Sequence, residues 1–214
     1  MTRSAVSNES RETLLLAALR HVAFDGWTAR ALEAGAREVG FTASDVVRAF
    51  PGGVADALVL FSLWADGRML AAAEPERLEG MRTGARVAAL VRTRLDALAP
   101  HREAMRRALA WSALPGHQAV AARCLARSVD AIWYAAGDRS ADFSYYTKRA
   151  LLSAVYAATV LVWIDDRSAD AADTWSFLDR RLAEVGRLQG LRARAESFLR
   201  AFAPGPARPR RPSA

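Results

Sequence analysis

Residues 150–164 read ALLSAVYAATVLVWI. Only Ser153, Tyr156, Thr159 and the indole of Trp163 offer polar side-chain atoms, so no solvent-facing stripe of a helix can be drawn through the run. Such a helix is expected to be buried on every side. It is shorter than the about 20 apolar residues that span a bilayer, and Lys148-Arg149 and Asp165-Asp166 bound it. Those bounds point to the central core helix of a soluble protein, some of whose neighbours can be a second subunit or a lipid.

Working outward, the preceding residues repeat an apolar spacing of 3.6 and show no strand-like alternation. Ser10 is expected to cap a first helix through Leu14, Leu15, Ala18, Leu19 and Val22 that ends near Asp25-Gly26. Thr28 is expected to cap a second helix, stopped by Gly40, and Thr42 a third, ended by Phe50-Pro51. Two short helices joined by a Gly-containing turn after a longer one have the layout of a helix-turn-helix. DNA affinity comes mainly from cations at phosphates, yet residues 1–68 hold 7 Arg against 8 acids, and the third helix has Arg48 as its lone cation. An inherited scaffold that only packs is therefore the preferred reading, and DNA is an unlikely partner.

Beyond the Pro51-Gly52-Gly53 turn, helices are expected over Val54–Ala73, Met81–Ala97, Pro100–Leu114 and Gln118–Ala136. In the second of these, Met81, Val87, Leu90, Val91, Leu95 and Leu98 read as inward, while Arg82, Arg86, Arg92 and Arg94 read as an ordinary solvated face. The next two helices and the core helix carry large residues (Met105, Leu109, Trp111, Leu114, Leu125, Ile132, Trp133, Leu152, Tyr156, Val160 and Trp163) beside small ones such as Ala104, Ala108, Ala121 and Ala122. That mixture fits an elongated apolar slot between helices as well as it fits a filled core.

No enzyme is expected. The acids Asp165-Asp166 and Asp170 to Asp173 read as helix punctuation, with Ser168 or Asp170 capping the last helix. His21, His101 and His117 are scattered, there is no Glu-x-x-His pair, nucleophile motif or Gly-rich phosphate loop, and so no metal or cofactor is expected. The one cysteine, Cys124, excludes an internal disulfide and reads as a small buried hydrophobe. The start MTRSAVSNES lacks the apolar centre of a signal peptide, so the expected location is cytoplasmic, peripheral on the inner face of the membrane.

The formal charge of +7 is concentrated at the end, where residues 186–214 hold 7 Arg against 1 acid. There, Leu188, Leu191, Phe198, Leu199 and Phe202 recur on one side of a helix, with Arg192 and Arg194 among the cations elsewhere. A basic amphipathic helix of this kind suits a bilayer interface, although the same face could dock on the protein's own bundle. PGPARPRRPSA then reads as a disordered basic tail.

Several blocks in order carry a family resemblance: AALRHVAFDGWTARAL (17–32), LDALAPHREAMRRALAWSALP (95–115), SVDAIWYAAGD (128–138) and GDRSADFSYYTKRALLSAVYAATVLVWIDDRSADAADTWSFLDRR (137–181). Together they resemble the lipid-binding accessory proteins of ubiquinone (coenzyme Q) biosynthesis, the ninth Coq protein family. The resemblance implies an all-α, TetR-like fold with a helix-turn-helix-like three-helix front, a larger helical bundle and a C-terminal amphipathic helix. It also implies a non-enzymatic homodimer that carries isoprenoid quinone precursors for a di-iron quinone hydroxylase. The hydroxylase-facing surface would fall on Asp142, Phe143, Tyr145, Tyr146, Lys148 and Arg149, the family usually carrying Trp where Tyr145 stands. The alternative is a ligand-responsive TetR-type transcriptional regulator, which would use the same slot for an effector. The expected organisation is a disordered start (1–9), the three-helix segment (10–50), the lipid-binding and dimerisation bundle (51–185), the membrane-binding helix (186–203) and the basic tail (204–214).

Overall fold

The computed structural model describes the backbone of residues 7–74, 78–138 and 143–202, and the side chains of the same residues apart from 143–144 and 188–202. All regular structure among the described residues is helical. The first helix, α1 (Asn8–Asp25), begins earlier than expected because Ser7, not Ser10, is its cap: the Ser7 hydroxyl accepts the Ser10 N–H at 3.1 Å. The predicted apolar face, from Leu14 to Val22, is buried.

The caps of the next two helices follow the sequence. Thr28 accepts the Ala31 N–H at 3.2 Å to open α2 (Ala29–Glu38). Thr42 and Asp45 form a reciprocal capping box at the start of α3 (Ala43–Ala49), satisfying two N–H groups that would otherwise lack partners. Between them Gly40 turns the chain at φ +79°, a conformation costly for residues with a Cβ. Gly35 lets α2 lie directly on α1, since a Cβ there would sit 2.4 Å from the Ala18 backbone nitrogen.

This three-helix front is fastened to the bundle by Trp27, whose buried indole N–H donates to the Ala104 carbonyl at 2.9 Å. The bundle consists of α4 (Val54–Ala72), α5 (Thr83–Leu98), α6 (Arg102–Ser112), α7 (Gln118–Ala135), α8 (Phe143–Asp165) and α9 (Ala172–Phe202), with 3-10 turns at Ala99–His101 and Ala169–Ala171. Helix α4 packs on α5 and α7, while α8 lies against α6, α7 and α9. Val87, Leu90, Val91, Leu95 and Leu98 of α5 face the core as their spacing predicts, but Met81 precedes the helix and is exposed.

Two expectations about α8 are corrected. The helix is apolar all round but buried on one side only: Leu152, Val155, Tyr156, Val160, Trp163 and Ile164 are inside, whereas Leu161 is 60% exposed. The reason is geometric, because the elements packed on it occupy one flank within a single chain. In addition, its apolar segment from Tyr145 to Asp165 has the length and composition of a membrane span, so the shorter run at its centre understates it. Its far end is nonetheless pinned to the bundle. Arg106 donates to the Ile164 carbonyl and Arg102 to the Asp166 carbonyl, each at 2.8 Å, and the Arg102 guanidinium lies 4.6 Å from the centre of the Trp163 ring.

Asp166 is helix punctuation, as expected, whereas Asp165 ends α8 and pairs with Arg106 at 2.7 Å. Asp166 accepts the backbone N–H groups of Ser168 at 2.8 Å and Thr174 at 2.9 Å, and also both hydroxyls. Burial raises its pKa, and these hydrogen bonds outweigh that and hold the carboxyl well below the ordinary range. Ser168 contributes by accepting the Asp173 N–H, while Asp170 caps nothing and sits at φ +51°. The backbone of α9 then continues through Gly186 without interruption, so the amphipathic stretch extends α9 and does not begin a new element.

Candidate functional site: an apolar cavity with a buried polar end

Helices α4 to α8 enclose a cavity of about 300 Å³. Its wall is mostly aliphatic: Leu58 and Phe61 from α4, Leu98 from α5, Met105, Ala108 and Leu109 from α6, Val120, Ala121, Ala122 and Leu125 from α7, and Ala157, Val160 and Leu161 from α8. Exposed Ala122 and Leu161 mark the mouth, between α7 and α8. The volume is at the low end of the about 300–1,000 Å³ of small-molecule sites, room for a ring and the first part of a chain.

The opposite end is polar and buried. Arg94, expected on a solvated face, is 3% exposed. Its Nε–H donates to Asp66 Oδ1 at 2.6 Å, its Nη1 to the Tyr156 hydroxyl, and its Nη2 to the hydroxyls of Ser62 at 3.1 Å and Ser128 at 3.0 Å. Ser128 in turn donates to Asp66 Oδ2 at 3.2 Å. The correction has a clear cause: a guanidinium enters a core when a carboxylate neutralises it and its remaining donors find oxygens. Burial depresses the Arg94 pKa, but Tyr156 and Asp66 outweigh it and shift it upward; the Tyr156 pKa is raised by burial, against the opposing pull of Arg94. A tyrosine so placed is a neutral hydrogen-bond donor at physiological pH.

The other α5 arginines also differ from a free solvated face. Arg86 donates to the Ala136 carbonyl at 3.3 Å, and Arg92 pairs with Asp179 at 2.6 Å on α9; Arg82 is exposed as expected.

Of the residues singled out from sequence, the structure brings Met105, Leu109, Leu125, Tyr156 and Val160 together in the cavity wall. The remaining six lie elsewhere. Ile132, Leu152 and Trp163 are buried in the core, Trp111 stacks on His117 at 3.7 Å, Leu114 is exposed, and Trp133 lies beneath Lys148, whose Nζ is 5.8 Å from its ring. Sequence reasoning missed Arg94, Asp66, Ser62 and Ser128. A signal for Arg94 existed, since it lies four residues from both Leu90 and Leu98 on the apolar stripe.

Cys124 is a partly buried residue of the cavity wall, and burial pushes its thiol pKa up. No cluster of three or more His, Cys, Asp or Glu suited to a metal ion occurs among the described residues.

The surface expected to meet a partner begins α8. Tyr146 is exposed, and the Arg149 guanidinium stacks 3.4 Å from the centre of the Tyr145 ring. Arg149 is ion-paired with Asp130, and Lys148 with Asp138 at 2.9 Å. Asp142 and the side chain of Phe143 lie outside the described residues, as do the side chains of Leu188, Leu191, Arg192, Arg194, Phe198, Leu199 and Phe202. At the helix-turn-helix-like front, Arg48 is ion-paired with Asp45, so the one cation of α3 is already engaged.

These features define a class: an all-α, TetR-like protein whose bundle encloses an apolar cavity. A crystal structure of a TetR transcriptional regulator from Nitrosomonas europaea superposes with a TM-score of 0.67 at 23% identity, covering 83% of this chain and 98% of that one, a likeness of fold. Residues 118–189 match the COQ9 family. The chain is 35% identical to the ubiquinone biosynthesis protein COQ9, mitochondrial, of Homo sapiens over 188 residues, covering 83% of this chain and 59% of that protein. It is 35% identical to the Rattus norvegicus protein of the same name, covering 80% and 57%, and 32% identical to that of Drosophila melanogaster, covering 90% and 60%. The chain thus spans less than two thirds of the length of these relatives. The resemblance read from the sequence blocks is to COQ9, and the family match covers α7, α8 and the first part of α9; of these, α7 and α8 supply one side of the cavity.

Proposed function

We propose that this protein is a non-enzymatic accessory factor of ubiquinone biosynthesis that takes an isoprenoid quinone precursor into the cavity and presents it to the di-iron quinone hydroxylase. The observation that carries the reading is the cavity itself, about 300 Å³, walled by aliphatic residues and open between α7 and α8. Its similarity to proteins named for ubiquinone biosynthesis supplies the pathway. A quinone precursor with a polyprenyl tail is too insoluble to travel through water, so a protein that shields its head and first isoprene units lowers the cost of leaving the bilayer.

Three further parts belong to the same proposal. The basic amphipathic end of α9 would rest in the bilayer interface, placing the protein peripherally on the membrane in which the quinone is made; the relatives it matches are named mitochondrial. A second copy would pack on the parts of α8 and α9 that lie away from the mouth at Leu161, giving a homodimer that leaves the cavity open. The Tyr145, Tyr146, Lys148 and Arg149 surface would receive the hydroxylase, because tyrosine offers contact area and a hydroxyl together.

The test is organic extraction and mass spectrometry of protein purified without detergent. A co-purifying isoprenoid quinone precursor is the expected outcome. Recovery of phospholipid alone, with no exchange for added quinone precursor, would overturn the assignment of cargo.

A further inference from the structure

An apolar carrier needs no ion pair inside it. Burying Arg94 and Asp66 together is at best a break-even arrangement for stability, since aliphatic residues of similar volume would serve as well. The pair stands at the closed end of the cavity, where Arg94, Ser62, Ser128 and Tyr156 all form part of the wall. Placement of directional groups at one end of an otherwise aliphatic pocket fixes the orientation of a ligand.

The hydrogen-bond inventory says what kind of atom fits there. Asp66 is occupied on both oxygens, by Arg94 at 2.6 Å and by Ser128 at 3.2 Å. The Tyr156 hydroxyl oxygen accepts from Arg94, and its own proton has no acceptor among the described residues. Arg94 Nη1 makes that one hydrogen bond and carries a second N–H. What the cavity lacks is therefore an acceptor oxygen. The charge of Arg94 is already neutralised by Asp66, so an anionic head, a carboxylate or phosphate, would gain no net charge partner and would meet Asp66 as a like charge. An uncharged oxygen meets neither penalty.

We infer that the Tyr156 hydroxyl, oriented by Arg94, donates to a carbonyl or hydroxyl oxygen carried directly on an uncharged quinone or aromatic ring, so that the lipid enters head first and its tail leaves past Leu161. This rests on the lipid-binding reading above and adds to it the polarity of the ligand and its direction. Leu161 and Ala122 at the mouth are exposed while Arg94, Ser128 and Tyr156 are buried, so the apolar gradient of the cavity matches a molecule with one oxygen-bearing end.

Three probes of equal chain length separate the possibilities when their binding to the full chain is measured by equilibrium dialysis: a hexyl-substituted dimethoxybenzoquinone, hexylbenzene and hexanoate. The quinone is expected to bind most tightly, and Tyr156→Phe to weaken it roughly 3- to 10-fold, as loss of one neutral hydrogen bond does, with hexylbenzene unchanged. In the wild-type complex the quinone carbonyl stretch should fall in frequency relative to the same probe in alkane. That infrared reading stands whether or not the variant folds. Tightest binding by hexanoate, an unshifted carbonyl band, or a folded Tyr156→Phe that binds the quinone as well as wild type would overturn the inference. Binding of hexylbenzene and quinone with equal affinity would remove the head-first orientation and leave the lipid-binding reading intact, whereas failure of all three to bind would remove both.

Discussion

Arg94 of α5 and Asp66 of α4, 28 residues apart in sequence, meet at 2.6 Å in an interior that is otherwise almost entirely apolar. The two are an inseparable unit. Arg94→Met alone leaves a buried carboxylate uncompensated and should cost about 3–5 kcal/mol, whereas Arg94→Met with Asp66→Leu should be neutral or stabilising. Urea unfolding of the wild type, both single variants and the double variant measures this; an additive double variant would show that the pair does not act as a unit.

Cys124 reports on occupancy of the cavity. Burial pushes its thiol pKa up, so alkylation should be slow at neutral pH and accelerate only at more alkaline pH than for a free thiol. A bound quinone precursor should slow it further by blocking the wall on which Cys124 lies. The rate of iodoacetamide labelling against pH, with and without probe, reads both effects.

Asp166 couples the α8–α9 joint to acid. Its carboxylate pKa is depressed by hydrogen bonds, so its stabilising effect is fully present above the ordinary carboxylate value of about 3.9 and is lost as pH falls toward its lowered native value. Asp166→Asn should therefore lower Tm at pH 7, and the difference from wild type should shrink as the pH falls below that ordinary value. A Tm difference that stays constant from pH 7 to pH 2 would contradict this.

Two glycines should respond to alanine with opposite signs. At Gly35 the new Cβ would meet Ala18 backbone nitrogen at 2.4 Å, which neither helix can yield without separating, so Gly35→Ala should cost about 1–3 kcal/mol. Gly67, in the middle of α4, faces open space and gains helix propensity, about 0.5–1 kcal/mol in favour of Gly67→Ala. Chemical denaturation of the two variants gives both values.

Phe198, Leu199 and Phe202 carry the proposed membrane contact. Replacing all three with Ser should abolish sedimentation with anionic liposomes while the helical circular dichroism of the bundle persists. Unchanged sedimentation would remove the membrane part of the proposal.

Local physical chemistry made much of the fold legible before any contact was known. Thr28 and Thr42 could be read as caps because a side-chain oxygen followed by an apolar period has few other uses, and both do cap. Asp166 could be read as punctuation because acids are favoured where a helix begins, and the blocks from residue 17 to residue 181 pointed to COQ9 and to the TetR-like fold that this chain has.

Tertiary structure alone decided the site. Arg94 occupies the apolar stripe of α5, but a stripe position says only that a residue faces inward, and a guanidinium facing inward is costly unless a partner waits there. Asp66 is that partner, and its presence depends on the register of α4 against α5, which no local pattern encodes. The same holds for α8: its sequence shows a helix that water would not solvate on any side, while the packing of α6, α7 and α9 determines that Tyr156 faces the cavity and Leu161 is left at its mouth.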